Sequence, residues 1–157
     1  MSEEKIQHKI YKKAQDYLSR RSYGTLELFS KLLMKFPEHR AQVQEVIDEC
    51  IRLGFMDDER FALSYMKNRL QYRHKSLRTI QMELRSKGLE DISSTLVTTK
   101  PELQDMETEA LRAAMEKKIR QTPNFKKTDR EVIQKLKASL YRKGFSLMSI
   151  EEMLKTM

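Results

Sequence analysis

Three consecutive carboxylates, Asp57, Asp58 and Glu59, lie between Gly54-Phe55-Met56 and Arg60-Phe61-Ala62, and no other stretch of this chain so invites a metal or acid–base reading. Hydrolytic metal chemistry would want further carboxylates or histidines at ligand spacing, and none is in register with these three. A structural use suits them better. Gly54 can take the left-handed conformation that closes a helix, and Asp57 can then accept hydrogen bonds from the free N–H groups of the next one. Asp58 and Glu59 would sit where the helix dipole favours negative charge. Capping, with no metal, is therefore the expectation for this segment.

The remaining reactive side chains converge no better. His8, His39 and His74 are far apart, and the single Cys50 lies on an apolar helical stripe with no partner at zinc spacing. No glycine-rich phosphate loop follows a strand pattern, so no nucleotide site is expected. The ten methionines fall mostly on helical stripes and read as adaptable packing. Without a convergent set of titratable groups, an enzyme ranks third among the function classes, and no cofactor is expected.

Positive charge is the more informative chemistry. The net charge of +8 favours a polyanionic partner, because clustered Lys and Arg release counterions when they neutralise phosphates. Two stretches concentrate it. One holds Lys67, Arg69, Tyr72, Arg73, Lys75 and Arg78, in which Tyr72 is the stacking candidate because Tyr65 falls on a core stripe. The other, Lys117, Lys118, Arg120, Lys126, Lys127 and Arg130, surrounds Pro123. The competing reading of each is a solvated helix end. Lys87 and Lys143 sit where they can meet carbonyls at helix C-termini.

The elements that must position these residues are helices. Only 39% of the 157 residues are apolar and 34% are charged, which suits thin helical layers better than a thick core. Apolar stripes at 3.6-residue spacing run through Ile6–Leu18, Leu28–Phe36, Val43–Ile51, Phe61–Leu70, Leu77–Leu84, Ile92–Val97, Met106–Ile119, Val132–Leu140 and Ile150–Leu154. Gly54, Gly88 and Gly144 act as stops. Ser76 is the expected cap of the fifth helix, and Thr128 with Glu131 has capping-box spacing before the eighth. Ile80, Leu84, Lys87, Gly88 and Leu89 recur 56 positions later as Leu136, Leu140, Lys143, Gly144 and Phe145. The expectation is an all-α protein of three tandem three-helix units, 1–56, 57–100 and 101–157, forming an elongated, curved helical repeat. Those units carry +2, +3 and +3. The start, Met1-Ser2-Glu3-Glu4-Lys5, lacks a signal-peptide apolar region, and no apolar run approaches the ~20 residues of a membrane span, so a cytoplasmic location without membrane contact is expected.

The segment Gly54-Phe55-Met56-Asp57-Asp58-x-x-Phe61-Ala62, followed by Arg69 and by Ile80-x-x-Glu83-Leu84-x-x-Lys87-Gly88-Leu89, resembles the central repeat of the RecX family of RecA regulators. Glu27-Leu28-x-x-Lys31-Leu32 is similar to that family's first repeat, and Lys135-Leu136-x-x-x-Leu140-x-x-Lys143-Gly144-Phe145 with Ile150 and Leu154 to its C-terminal one. The chain departs from the family at Ser76-Leu77, where a Gly-Pro pair is frequent, and at Gly24, where a Ser commonly caps the second helix. The continuous stripes lead us to expect a monomer, and the resemblance implies a non-enzyme that lies in the groove of a RecA filament on single- or double-stranded DNA. It would restrain recombinase, ATPase and coprotease activities in homologous recombination and the SOS response. From the residues alone, the alternative is a stand-alone DNA-binding regulator using one unit as a helix-turn-helix, with the fifth helix opening at Ser76-Leu77-Arg78-Thr79.

Overall fold

A computed structural model describes residues 2–157; Met1 lies outside them. Among the described residues all regular structure is helical: α1 Glu3–Arg20, α2 Thr25–Lys35, α3 Arg40–Arg52, α4 Asp58–Arg73, α5 Leu77–Arg85, α6 Glu90–Thr99, α7 Glu102–Arg120, α8 Arg130–Arg142 and α9 Leu147–Thr156. The architecture is a helical repeat. Its accessible surface of 10371 Å² exceeds by about a quarter the ~8,300 Å² of a compact protein of this mass, so the molecule is extended.

Helix starts follow from side chains that supply what the backbone lacks. Asp57 accepts from Arg60 N at 3.0 Å, Ser76 from Thr79 N at 3.1 Å and Ser146 from Ser149 N at 3.1 Å. The expected box of Thr128 and Glu131 is not used. Asp129 caps α8 instead, accepting from the N–H groups of Glu131 and Val132, and its carboxylate at the positive end of the dipole is the stronger acceptor.

Helices α3, α5 and α8 end alike. Phe55, Leu89 and Phe145 each donate from their N–H to a carbonyl five residues earlier, around Gly54, Gly88 and Gly144 with φ of 80°, 73° and 98°. Leu89 and Phe145 are buried just after their stops. Phe55 remains 48% exposed, and Met56 takes the buried place beside it.

Two hydrophobic cores result. Ile10, Ala14, Tyr17, Leu28, Leu32, Val43, Ile47, Cys50 and Met56 form one among α1, α2 and α3. The other runs without interruption through α4 to α9, because α7 lies along α4 and presents Ala110 and Ala114 where Ala62, Met66 and Leu70 are also buried. Small residues let those two helices approach closely. No comparable interface joins α1 to α4.

Candidate functional site

The junctions between successive helix triplets share one design. Asp58, at the start of α4, accepts from the N–H of Thr25, first residue of α2, at 2.8 Å. This gives α2 the acceptor that its own Gly24 cannot provide. Glu107 on α7 does the same for α5, accepting from Leu77 N at 2.7 Å. Asp58 thus caps a helix in the neighbouring triplet rather than its own.

The glycine stops dock onto the same helix starts. The Lys143 carbonyl accepts from Ser76 Oγ at 3.1 Å and Thr79 Oγ1 at 2.9 Å, and a Cβ on Gly144 would fall within 2.6 Å of Thr79 Oγ1. At the other junction a Cβ on Gly88 would meet Leu26 Cδ2 at 2.8 Å, and Lys87 reaches Glu27 at 3.0 Å rather than a helix carbonyl. Glu27 also takes a two-pronged contact from Arg21, at 3.2 and 3.1 Å. Burial pushes the Glu27 carboxyl upward, but the hydrogen bonds from Arg21 and Lys87 outweigh it and hold the group below its usual range.

The first basic stretch is divided by its carboxylate neighbours. Lys67 pairs with Glu102 at 3.4 Å, and Lys75 pairs closely with Glu83. Arg69 lies over the Tyr65 ring at 4.7 Å and places Nε 3.5 Å from Glu83, an ion pair that leaves this buried nitrogen without a hydrogen-bond partner. Tyr65 is half-buried, and its hydroxyl donates to Glu83 at 2.8 Å. Desolvation raises the Glu83 carboxyl, yet Lys75 and Tyr65 together bring it below its ordinary value. Those three cations therefore brace α4 against α5 and α7. Tyr72 is 66% exposed, and Arg73 and Arg78 are exposed.

In the second stretch Lys117 and Arg120 are exposed and Lys118 half-buried, all on the last turn of α7, where they complement the dipole. The chain then turns at Asn124, with φ 55°. Lys126 and Arg130 are exposed, whereas Lys127 donates to the Met157 carbonyl. Among the described residues no carboxylate lies within salt-bridge distance of Arg73, Arg78, Lys117, Lys118, Arg120, Lys126 or Arg130.

Sequence reasoning left three residues out of both patches: Tyr141, Arg142 and Lys143, exposed at the end of α8. The docking of Lys143 on Ser76 brings them to the first stretch. The 56-residue recurrence marked Lys143-Gly144 as a stop, but nothing in it said what the stop rests on. Asp57, Asp58 and Phe61 lie at the first junction, where Phe61 stacks near Tyr65 with ring centroids 6.1 Å apart. Among the described residues no three His, Cys, Asp or Glu side chains gather as metal ligands, and burial pushes the Cys50 thiol up, away from thiolate reactivity. No helix among them is long and apolar enough to cross a membrane.

Known proteins align with this arrangement. Residues 57–91 match the family description "RecX, second three-helix domain" and residues 105–152 match "RecX, third three-helix domain". The Regulatory protein RecX of Legionella pneumophila (strain Corby) is 33% identical over 150 residues, covering 94% of this chain and 93% of that protein. That of Mycobacterium sp. (strain KMS) is 31% identical over 137 residues, 82% of this chain and 70% of that one. The crystal structure of RecX from Lactobacillus salivarius superposes with a TM-score of 0.80 at 26% identity, over 96% of this chain and 97% of the other.

Proposed function

The chain belongs to the RecX family, and from that premise we propose that it regulates a RecA-type recombinase. It lies in the groove of the RecA–DNA filament and restrains recombination, ATP hydrolysis and the coprotease role in the SOS response. The observation that carries this reading is the alignment with a named regulatory protein over 94% of this chain and 93% of that one. An extended repeat with exposed, unpaired cations suits such a task, since separate modules along one groove add their contacts through effective concentration.

The protein acts in this reading as a cytoplasmic monomer without catalytic groups of its own. The units of action are the triplets 1–56, 57–100 and 101–157. A helix-turn-helix use of α5 is less favoured, because Ser76 and Leu77 are buried and the helix start is enclosed by Glu107 and Lys143. The test is RecA ATPase on single-stranded DNA with substoichiometric amounts of this protein. Restrained hydrolysis is expected, and an unchanged rate across the titration overturns the reading.

A further inference from the structure

The ends of two helices far apart in sequence arrive at the first turn of α5. Helix α4 ends in Tyr72-Arg73, three residues before Ser76, so Arg73 Cα lies within about 11 Å of Ser76 Cα. Helix α8 ends in Tyr141-Arg142, and the next residue, Lys143, is hydrogen-bonded through its carbonyl to Ser76 and Thr79. Arg78 lies between those two hydroxyl residues. The end of α8 is thus held to the start of α5 by side chain to backbone bonds across the junction.

Arg73, Arg78, Arg142 and Lys143 are all exposed, and no carboxylate among the described residues lies within salt-bridge distance of any of them. Nearby Glu83 and Glu107 are already engaged, the first by Lys75 and Tyr65 and the second by Leu77 N–H. Tyr72 and Tyr141, 66% and 57% exposed, directly precede Arg73 and Arg142 at the ends of α4 and α8. Cations alone would suit any polyanion. Exposed aromatic rings among them select one whose units carry accessible π-faces, and bases present those faces only when unpaired.

We propose that the α4–α5–α8 junction binds a single strand of nucleic acid, Arg73, Arg78, Arg142 and Lys143 neutralising its phosphates and Tyr72 and Tyr141 stacking on its bases. This assignment deepens, and rests on, the reading that the protein works on a filament's DNA, but its test needs no filament.

The experiment is fluorescence anisotropy of a short labelled oligothymidylate with the full chain, across a salt series, with circular dichroism on every variant. The wild-type protein binds the strand more tightly than the matching duplex. Its tyrosine emission falls on binding, which is readable because the chain has no Trp. Tyr72→Ala and Tyr141→Ala each weaken strand binding roughly five- to a hundred-fold with an unchanged salt slope. Arg142→Gln with Lys143→Gln lowers the slope by about 1.4, the share of two phosphates on a single strand. Equal affinity for the duplex, Tyr variants that bind like wild type, or competition by polyglutamate as good as that of the oligonucleotide would each overturn the site. If the strand is bound in this way while RecA ATPase is untouched, the site stands and the filament reading fails. If ATPase is restrained while the bare strand is ignored, the filament reading stands and the site fails.

Discussion

At the first junction a cleft of about 710 Å³, lined by Arg21, Tyr23, Phe55, Arg60, Phe61 and Arg69, opens between α4 and the connections on either side of α2 and α3, whereas at the second α7 lies along α4 and the core passes through unbroken. Both junctions use the same connectors, a carboxylate on the N–H of the preceding triplet's second helix and a glycine stop against that helix's first turn. They differ in what fills the space beside those connectors. Aromatic rings at Phe61 and Tyr65 face the open cleft, while alanines at 110 and 114 line the closed one. Shared polar connectors therefore set orientation, and apolar contact area sets how firmly each junction is held.

The largest effect should come from Gly144→Ala. The new Cβ would clash with Ser76 and Thr79 hydroxyls at a φ of 98°, so strain and overpacking together should cost roughly 2–5 kcal/mol in denaturant unfolding. Gly88→Ala meets only the flexible end of Leu26 and should cost about 1–3 kcal/mol. Gly54→Ala meets nothing within 4 Å and should cost about 1 kcal/mol, from the left-handed backbone alone. Equal losses at Gly144 and Gly54 would erase the distinction between a docked stop and a free one.

Removing the caps sharpens the same contrast. Asp58→Ala and Glu107→Ala should each cost about 0.5–2 kcal/mol. The first should appear in native-state hydrogen exchange as faster opening of α1 to α3, and the second as a lower global stability, because its junction lies within the continuous core. Uniform destabilisation by Asp58→Ala would show that the two cores unfold together.

A smaller effect follows from acid. Glu27 has a folded pKa below its unfolded one, so its contribution is present above the ordinary carboxylate range and is lost as pH falls through the lowered value. Exchange at the start of α2 should quicken below about pH 4, and Glu27→Gln should flatten that response. An unaltered acid profile in the variant would remove Glu27 from the junction's account.

The helices and their stops were legible because each depends on near neighbours: apolar stripes every 3.6 residues, Asp57 and Ser76 at helix starts, Gly88 and Gly144 at ends. What joins them was not. Asp58 looked like an ordinary first-turn acid, and only the fold reveals that it serves Thr25, 33 positions earlier. Lys67, Arg69 and Lys75 counted as free charge until Glu102 and Glu83 were placed beside them. Tyr141 to Lys143 joined Arg73 and Arg78 through a contact spanning 67 positions, a distance over which periodicity carries no information.

In the proposed function the working contacts are exposed cations that the fold leaves unpaired, and one measurement addresses them most directly. RecA ATPase on single-stranded DNA should be followed across a salt series with wild type and with a variant carrying Arg73→Glu, Arg78→Glu, Lys126→Glu and Arg130→Glu, its helicity checked alongside. Exposed substitutions of this kind usually cost within about 0.5 kcal/mol each, so the fold should persist. Wild type should restrain hydrolysis and lose that effect as salt rises, and the variant should restrain it little at any salt. Full inhibition by a folded variant would contradict the account and move the working surface to the neutral and acidic faces of the helices.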